Sequence, residues 1–114
     1  MNRYIGIPWD AHGDSLDGCS CWGLVRLFYR DEYSIDLPSI ADGDQMRHMW
    51  RQVTQVRRGD VILFRHQGAA RHVSIALDQR DMLHVDNKPS CIERYRGMVW
   101  KHRLLRIYRH RDLM

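Results

Sequence analysis

The chain is 114 residues long, 44% of them hydrophobic and 28% charged, and it carries a formal net charge of +4 at pH 7. This length and composition are typical of a single globular domain over residues 1–114, and they argue against a disordered chain. A membrane-spanning helix needs about 18 consecutive apolar residues, and the sequence contains no such run.

Residues 1–20 lack the apolar stretch of a signal peptide, so we expect the chain to stay in the cytoplasm or to leave it within a larger assembly. They predict a short N-terminal element followed by a loop that is rich in turn-forming residues. These turn-forming residues are Pro8, Gly13, Asp14, Ser15, Asp17 and Gly18.

Residues 21–33 predict an amphipathic helix, with apolar side chains recurring at helical spacing. The apolar residues are Trp22, Leu24, Val25, Leu27, Phe28 and Tyr29. Ser20 or Asp17 is a suitable cap for the start of this helix. Residues 36–38, which include a proline, are expected to end the unit.

Residues 42–53 predict a second, weaker helix, and a turn at Gly59-Asp60 follows it. After this turn the pattern changes to short β runs separated by turns. The predicted strands are Val61–Arg65, His72–Asp78, Met82–Asp86, Ile92–Tyr95 and Arg103–Arg109. Helices followed by an antiparallel meander indicate an α+β fold in which a helix packs across the sheet.

Basic residues are concentrated in the last part of the chain. They are Arg94, Arg96, Lys101, Arg103, Arg106, Arg109 and Arg111. Such a cluster fits nucleic acid, an anionic polymer such as a bacterial cell wall, or an acidic protein, but a solvated strand face explains it more simply. Because no helix-turn-helix, zinc-finger or aromatic RNA-binding signature is present, we expect no nucleic-acid partner.

The three cysteines, Cys19, Cys21 and Cys91, do not predict a disulfide framework, because their number is odd and no export signal is present. The spacing of Cys19 and Cys21 also differs from that of zinc knuckles. A fold that gathered His12, Cys19, Cys21 and a distant histidine could still bind a metal. The sequence itself predicts no metal and no cofactor.

Cys21 is the first candidate for chemistry. It lies where the turn-rich loop meets the predicted helix. A helix start presents unpaired N–H groups and the positive end of the macrodipole, and both favour the nucleophilic thiolate. The alternative is a buried cysteine that packs as a small hydrophobic residue.

Two histidines, His72 and His84, lie in apolar, strand-like surroundings downstream. If the turn between their strands is centred on residues 79–81, His84 lies opposite about Ala76, four residues from His72. That register alone does not establish a pair of interacting rings. The other histidines fall in loops or polar contexts, and of these His12 is best placed to line a cleft. They are His12, His48, His66, His102 and His110.

Four segments in order resemble the NlpC family of cell-wall cysteine peptidases, and in particular the members carried by tailed bacteriophages. Residues 8–27 contain GCSCWGLV, which resembles the nucleophile segment. Residues 58–64, RGDVILF, resemble a Pro-Gly-Asp strand entry, and residues 72–77, HVSIAL, resemble a His-Val-Gly-Ile strand. Residues 82–85, MLHV, resemble the Met-Ile-His-Ala strand.

The resemblance implies a papain-like α+β fold, with an N-terminal helix packed on an antiparallel β-sheet. It implies that Cys21 is the nucleophile, that His72 is the general base and acid, and that His84 orients His72. It also places Trp9, Ser20 and Trp22 at the substrate and oxyanion side of the site. It implies that Cys19 packs against its neighbours and takes no part in the chemistry.

Two positions depart from the family pattern. Ser20 stands where Asp is usual, and a serine caps a helix without supplying a charge. Trp9 stands where the family tends to place a tyrosine that serves the oxyanion site. An indole offers a single N–H donor, and losing one oxyanion donor costs about 10²–10³ in rate.

The function that the resemblance implies is an endopeptidase that cleaves peptidoglycan stem peptides, commonly between D-glutamate and diaminopimelate. A tailed-phage member would reside in the virion at the tail tip, with other tail-tip proteins as partners. The alternative is a structural or assembly component of a tail tip whose peptidase fold is weakly active or inactive.

Overall fold

The computed structural model of the chain describes residues 2–39, 47–66 and 70–114. One long α-helix, a short helical segment at residues 47–49 and eight short strands lie within these ranges. In chain order they are β1 (Asp14–Ser15), β2 (Gly18–Cys19), α1 (Cys21–Tyr33), β3 (Trp50–Val53), β4 (Val61–His66), β5 (Ala70–Ala76), β6 (Asp81–His84), β7 (Cys91–Arg94) and β8 (Leu104–His110). Single 3-10 turns lie at Asn2–Tyr4 and Arg111–Leu113.

Strands β3 to β8 form one six-stranded sheet in the order β3-β8-β4-β5-β6-β7. Every pairing in it is antiparallel. Strands β1 and β2 form a separate small hairpin immediately before α1. The predicted α+β class, with an antiparallel sheet, is therefore confirmed. Strands β4 to β7 form the expected meander, but β8 lies between β3 and β4 and not beside β7.

Helix α1 begins and ends where its sequence provides caps. The Ser20 hydroxyl accepts the Gly23 N–H at 2.9 Å, so Ser20 and not Asp17 is the N-cap. At the other end Ser34 adopts a left-handed conformation with φ of 56°, and its N–H bonds the Tyr29 carbonyl. The predicted helix over residues 21–33 is confirmed at both ends.

The two faces of the sheet belong to two different hydrophobic clusters. Leu24 and Phe28 of α1 cluster with alternate strand residues such as Ile75 and Leu83. The intervening residues point to the other face, where the apolar residues form a second cluster. The second cluster contains Val56, Ile62, Phe64, Ala76, Met82, Tyr95, Trp100 and Ile107. His72 and His84 belong to this second face, because side chains alternate along β5 and β6.

The prediction of a second helix over residues 42–53 is wrong at its C-terminal end. Residues 47–49 are helical, but Trp50–Val53 is strand β3, and residues 42–46 lie outside the described ranges. Pairing with β8, which sets Trp50 opposite His110, buries Trp50 in the core. Tertiary pairing thus outweighs the helical spacing of the apolar residues here.

The basic residues of the last part of the chain mostly lie on the surface, as the simpler explanation predicted. Arg109 is the exception. Its side chain is 8% exposed and forms a two-pronged ion pair with the fully buried Asp60, with N–O distances of 2.8 and 2.9 Å. The pair joins β8 to the turn that precedes β4, and so fixes the centre of the sheet.

Among the described helices, none has the length and apolar character needed to cross a membrane.

Candidate active site

The nucleophile candidate, Cys21, is the first residue of α1 and carries a free, partly buried thiol. At this position the unpaired N–H groups of the first turn and the helix dipole favour negative charge. Its neighbour Cys19 is fully buried, and burial raises the pKa of that thiol to about 11. Cys21 is therefore better placed for chemistry, while Cys19 packs in the core as expected.

Close contact between backbone segments fixes the start of α1. The Ser20 N–H donates to the Gly13 carbonyl at 3.0 Å. A Cβ atom at Gly23 would lie 1.9 Å from that same carbonyl oxygen, and one at Gly13 would lie 2.2 Å from the Gly18 carbonyl oxygen. Glycine is required at both positions for the loop to lie against the helix.

The N-terminal segment connects the start of α1 to the sheet. The Cys19 N–H donates to the Pro8 carbonyl at 3.0 Å, and Trp9 forms a bridge with Cys19. One residue earlier, the Ile7 N–H donates to the Ser90 hydroxyl at 2.8 Å, and the Ser90 N–H donates to the Ile7 carbonyl at 2.9 Å. Ser90 immediately precedes β7, whose Cys91 pairs with His84. These bonds anchor the loop before Cys21 to the strands around His84.

The two candidate histidines form a direct hydrogen bond. His72 Nε2 lies 2.9 Å from His84 Nδ1, and both side chains are buried. The hairpin register explains the contact: Ile75 pairs with Leu83 and Ala76 with Met82, which sets His84 opposite residue 74. His72 is then two residues away on the same face, a diagonal neighbour within reach of a long side chain.

The predicted register, with His84 opposite Ala76 and four residues from His72, is wrong. The turn has the expected three residues but is centred one residue earlier than predicted, since the Leu77 N–H bonds the Asp81 carbonyl at 2.9 Å. The Asp78 carboxylate closes the turn by accepting the N–H groups of Arg80 and Asp81 at 2.8 and 2.7 Å. Such Asx turns depend on one side chain and shift the whole register.

Aromatic rings surround the histidine pair. His72 stacks on Trp100 with ring centroids 5.0 Å apart and an interplanar angle of 26°. The His84 ring meets the same indole edge-on at 5.1 Å, and Phe64 lies 6.1 Å from His72. Burial in these surroundings lowers the pKa of His84 below its usual value, although the nearby Glu93 opposes the shift. His84 is therefore neutral at physiological pH.

Glu93 determines which nitrogen of His84 carries the proton. Its Oε1 lies 3.3 Å from His84 Nε2, while the Trp100 indole N–H donates to Oε2 at 2.9 Å. Burial favours the protonated acid, but the hydrogen bonds, that of Trp100 first, outweigh it and lower the pKa of Glu93. An ionised carboxylate only accepts, so neutral His84 carries its proton on Nε2.

The order of donors follows along the pair. With His84 Nδ1 unprotonated, the 2.9 Å bond has His72 Nε2–H as its donor. In a neutral His72 the other nitrogen, Nδ1, is then the unprotonated one, and it is the basic atom of the pair. Such an imidazole, oriented by a second polar group, is what a general base in nucleophilic catalysis requires.

The remaining predicted site residues occupy distinct environments. Trp9 is 53% exposed on the loop before β1. Trp22 donates its indole N–H to the Pro38 carbonyl at 2.9 Å and packs against Trp50. The Ser20 hydroxyl accepts the capping bond described above. Of the other histidines, His12, His48 and His102 are exposed, His110 is buried beside Trp50, and His66 is the last residue of β4.

Sequence analysis missed Glu93, Cys91 and Trp100, which complete the surroundings of His84. The signal for two of them was present: in an antiparallel hairpin, Cys91 and Glu93 lie opposite His84 and Met82 and therefore share their face. Trp100 comes from the loop before β8, and no local pattern indicated its position.

These features define a papain-like α+β fold, in which a helix that begins with a cysteine packs on an antiparallel sheet bearing a histidine pair. The chain belongs to the NlpC/P60 family, whose profile matches residues 6–109. The murein DD-endopeptidase MepS/murein LD-carboxypeptidase of Escherichia coli K12 is 25% identical over 95 residues. That alignment covers 81% of this chain and 50% of the relative, so the chain spans about half the length of that protein.

Solved structures share the fold. A lipoprotein-like NLP/P60 family protein of Staphylococcus aureus Mu50 superposes with a TM-score of 0.76 at 24% identity, covering 94% of this chain and 37% of the other. The NlpC/p60 domain of the peptidoglycan hydrolase SagA gives a TM-score of 0.73 at 20% identity, covering 95% and 91%. The shared fold extends over nearly the whole of this chain.

Proposed function

We propose that this chain is a cysteine endopeptidase that cleaves peptidoglycan stem peptides, with Cys21 as nucleophile, His72 as general base and acid, and His84 as the residue that orients His72. The observation that carries the proposal is the buried His72–His84 hydrogen bond of 2.9 Å, which leaves His72 Nδ1 as the basic atom. The position of Cys21 at the capped start of α1 supports it.

The reaction has two steps. His72 Nδ1 accepts the Cys21 thiol proton, the thiolate attacks the peptide carbonyl, and the protonated His72 gives its proton to the leaving amine. His72 then deprotonates a water molecule, which releases the acyl group from Cys21. During both steps His84 stabilises the positive charge that forms on His72, while N–H groups at the helix start stabilise the oxyanion.

The substrate class is inferred from relatives. The Escherichia coli relative is named a murein DD-endopeptidase and LD-carboxypeptidase, and SagA is named a peptidoglycan hydrolase. We propose the bond between D-glutamate and diaminopimelate as the site of cleavage. The exposed basic residues Arg94, Arg96 and Arg106 would attract the anionic cell wall.

Digestion of purified peptidoglycan, followed by chromatography and mass spectrometry of the released peptides, tests this proposal. We expect Cys21→Ala and His72→Ala to abolish release, and His84→Ala to reduce it strongly. His102→Ala is the matched control, since His102 is exposed, and it should keep wild-type activity. Full activity in a folded Cys21→Ala protein would refute the assignment.

We also propose that the domain acts at a phage tail tip, as part of the virion and with other tail proteins as partners. This proposal rests on the Cys-Trp-Gly-Leu-Val sequence at residues 21–25. Mass spectrometry of purified tails tests it: the chain should be present in stoichiometric amounts. Infection by phage carrying Cys21→Ala then separates an enzyme from an assembly component, because only loss of an enzyme leaves tails intact and slows entry.

A further inference from the structure

His84, Cys91 and Glu93 bring three different kinds of metal-binding atom together. His84 Nε2 lies 3.8 Å from Cys91 Sγ and 3.3 Å from Glu93 Oε1, and Cys91 Sγ lies 3.4 Å from the same carboxylate oxygen. Within the described ranges, this is the group whose ligand atoms converge. The set considered from the sequence, His12 with Cys19 and Cys21, does not form such a group there.

The separations match those of a tetrahedral zinc site. With Zn–N of about 2.0–2.1 Å, Zn–S of about 2.3 Å and Zn–O of about 2.0–2.2 Å, tetrahedral angles set the ligand atoms about 3.4–3.6 Å apart. The three measured distances bracket this range. Imidazole, thiolate and carboxylate are also the donors that Zn²⁺ takes in proteins, whereas Mg²⁺ and Ca²⁺ prefer oxygen alone.

We propose that His84, Cys91 and Glu93 bind one Zn²⁺ ion, with a fourth position left for water. Cys91 and Glu93 are partly exposed, so an ion can reach them from solvent, while His84 is 1% exposed and anchors the site from inside. The Trp100 N–H holds the second oxygen of Glu93 at 2.9 Å and would orient this ligand. Lys88 Nζ, 3.7 Å from Glu93 Oε1, is the cation that Zn²⁺ displaces.

Binding at this place inhibits the peptidase, an inference that rests on the proposed function. A neutral His84 that binds Zn²⁺ through Nε2 must carry its proton on Nδ1. It then donates to His72 Nε2, so His72 carries its own proton on Nδ1 and can no longer accept one from Cys21. The two rings keep two protons in total, and the Cys91 thiol releases one to solvent as it becomes a ligand. The metal thus removes the base without touching Cys21.

Binding is tested first, on the full chain without a histidine tag, by titration of Zn²⁺ against a chromophoric chelator and by Co²⁺ absorption. We expect one Zn²⁺ per chain and a thiolate-to-Co²⁺ charge-transfer band. Cys91→Ser should abolish the band. Loss of a residue that only hydrogen-bonds a metal ligand lowers metal affinity by roughly 10–100-fold. Cys91→Ser and Glu93→Gln each remove a ligand, so each should lower the affinity for Zn²⁺ by more than that. Cys21→Ser, the matched cysteine control, should keep both signals.

The activity measurement compares hydrolysis with one equivalent of Zn²⁺ to hydrolysis in chelator. The wild-type ratio should fall well below one, and that of Cys91→Ser should stay near one. Zinc binding that survives in both Cys91→Ser and Glu93→Gln, or a Co²⁺ band lost in Cys21→Ser, would overturn the site. If Zn²⁺ binds at the site but the wild-type protein hydrolyses its substrate equally fast with Zn²⁺ and with chelator, the inhibition is overturned. If the chain binds Zn²⁺ but never cleaves peptidoglycan, only the proposed function is refuted.

Discussion

Substitution of Glu93 by glutamine tests the tautomer argument, because it changes one group in the donor sequence and almost no volume. The Trp100 N–H donates to Oε2 of Glu93, so the glutamine carbonyl will occupy that side and its NH₂ will face His84. His84 Nε2 then accepts a hydrogen bond where it formerly donated one. The proton of His84 moves to Nδ1, and His72 Nδ1 becomes a donor.

The size of the effect follows from the bond that is lost. To act as a base, His72 in the Glu93→Gln protein must return to its original tautomer. That sets the His84 Nε2–H against the glutamine NH₂ and leaves a buried donor without an acceptor, which costs about 1–3 kcal/mol. Each 1.36 kcal/mol is tenfold in rate, so kcat should fall by about 5- to 150-fold. KM should change little, because Glu93 lies behind His84 on the side away from His72.

The assay is steady-state cleavage of a soluble stem peptide in the presence of chelator, which keeps metal out of the comparison. Asp81→Asn is the matched control: it exchanges a carboxylate for an amide in the same hairpin and should keep kcat near the wild-type value. In a His84→Ala background, Glu93→Gln should cost nothing further. Wild-type kcat in Glu93→Gln, or an equal loss in both backgrounds, would refute the tautomer argument.

Three further predictions concern reactivity and stability. Iodoacetamide near pH 8 should label Cys21 well before Cys19, because Cys19 is fully buried and its pKa of about 11 leaves little thiolate. Peptide mapping measures the order of labelling, and equal labelling of the two cysteines would contradict the prediction. Arg109→Met should lower the free energy of unfolding by about 3–5 kcal/mol, because it leaves the buried Asp60 carboxylate unpaired, and adding Asp60→Asn should recover part of the loss in urea denaturation. Gly23→Ala should reduce both thermal stability and activity, because its Cβ would lie 1.9 Å from a loop carbonyl oxygen; an unchanged melting temperature would contradict this.

The sequence predicts the local parts of the fold well. Helix α1 has its cap at Ser20, its apolar stripe and its C-terminal stop within the same stretch of chain, so residues 21–33 were predicted correctly. The strands were predicted with ends shifted by up to two residues. The segment Trp50–Val53 was mistaken for helix because its strand pairing depends on β8, more than 50 residues later in the chain.

The candidate site could be predicted only in part. Local context and resemblance indicate Cys21, His72 and His84 as candidates, but the contact between the two rings depends on the position of a turn that Asp78 closes. Glu93 reaches His84 through strand pairing, which requires the register to be known first. Trp100 cannot be placed without the tertiary structure, since it comes from a loop.

Acid quenching of a single turnover, followed by mass spectrometry of the peptides, measures the central claim most directly. If Cys21 attacks the stem peptide, the peptide that contains Cys21 should gain the mass of the acyl fragment as a thioester, and His72→Ala should prevent this gain. Cleavage that proceeds with Cys21 unmodified, or an adduct on Cys19 or Cys91 instead, would contradict the account.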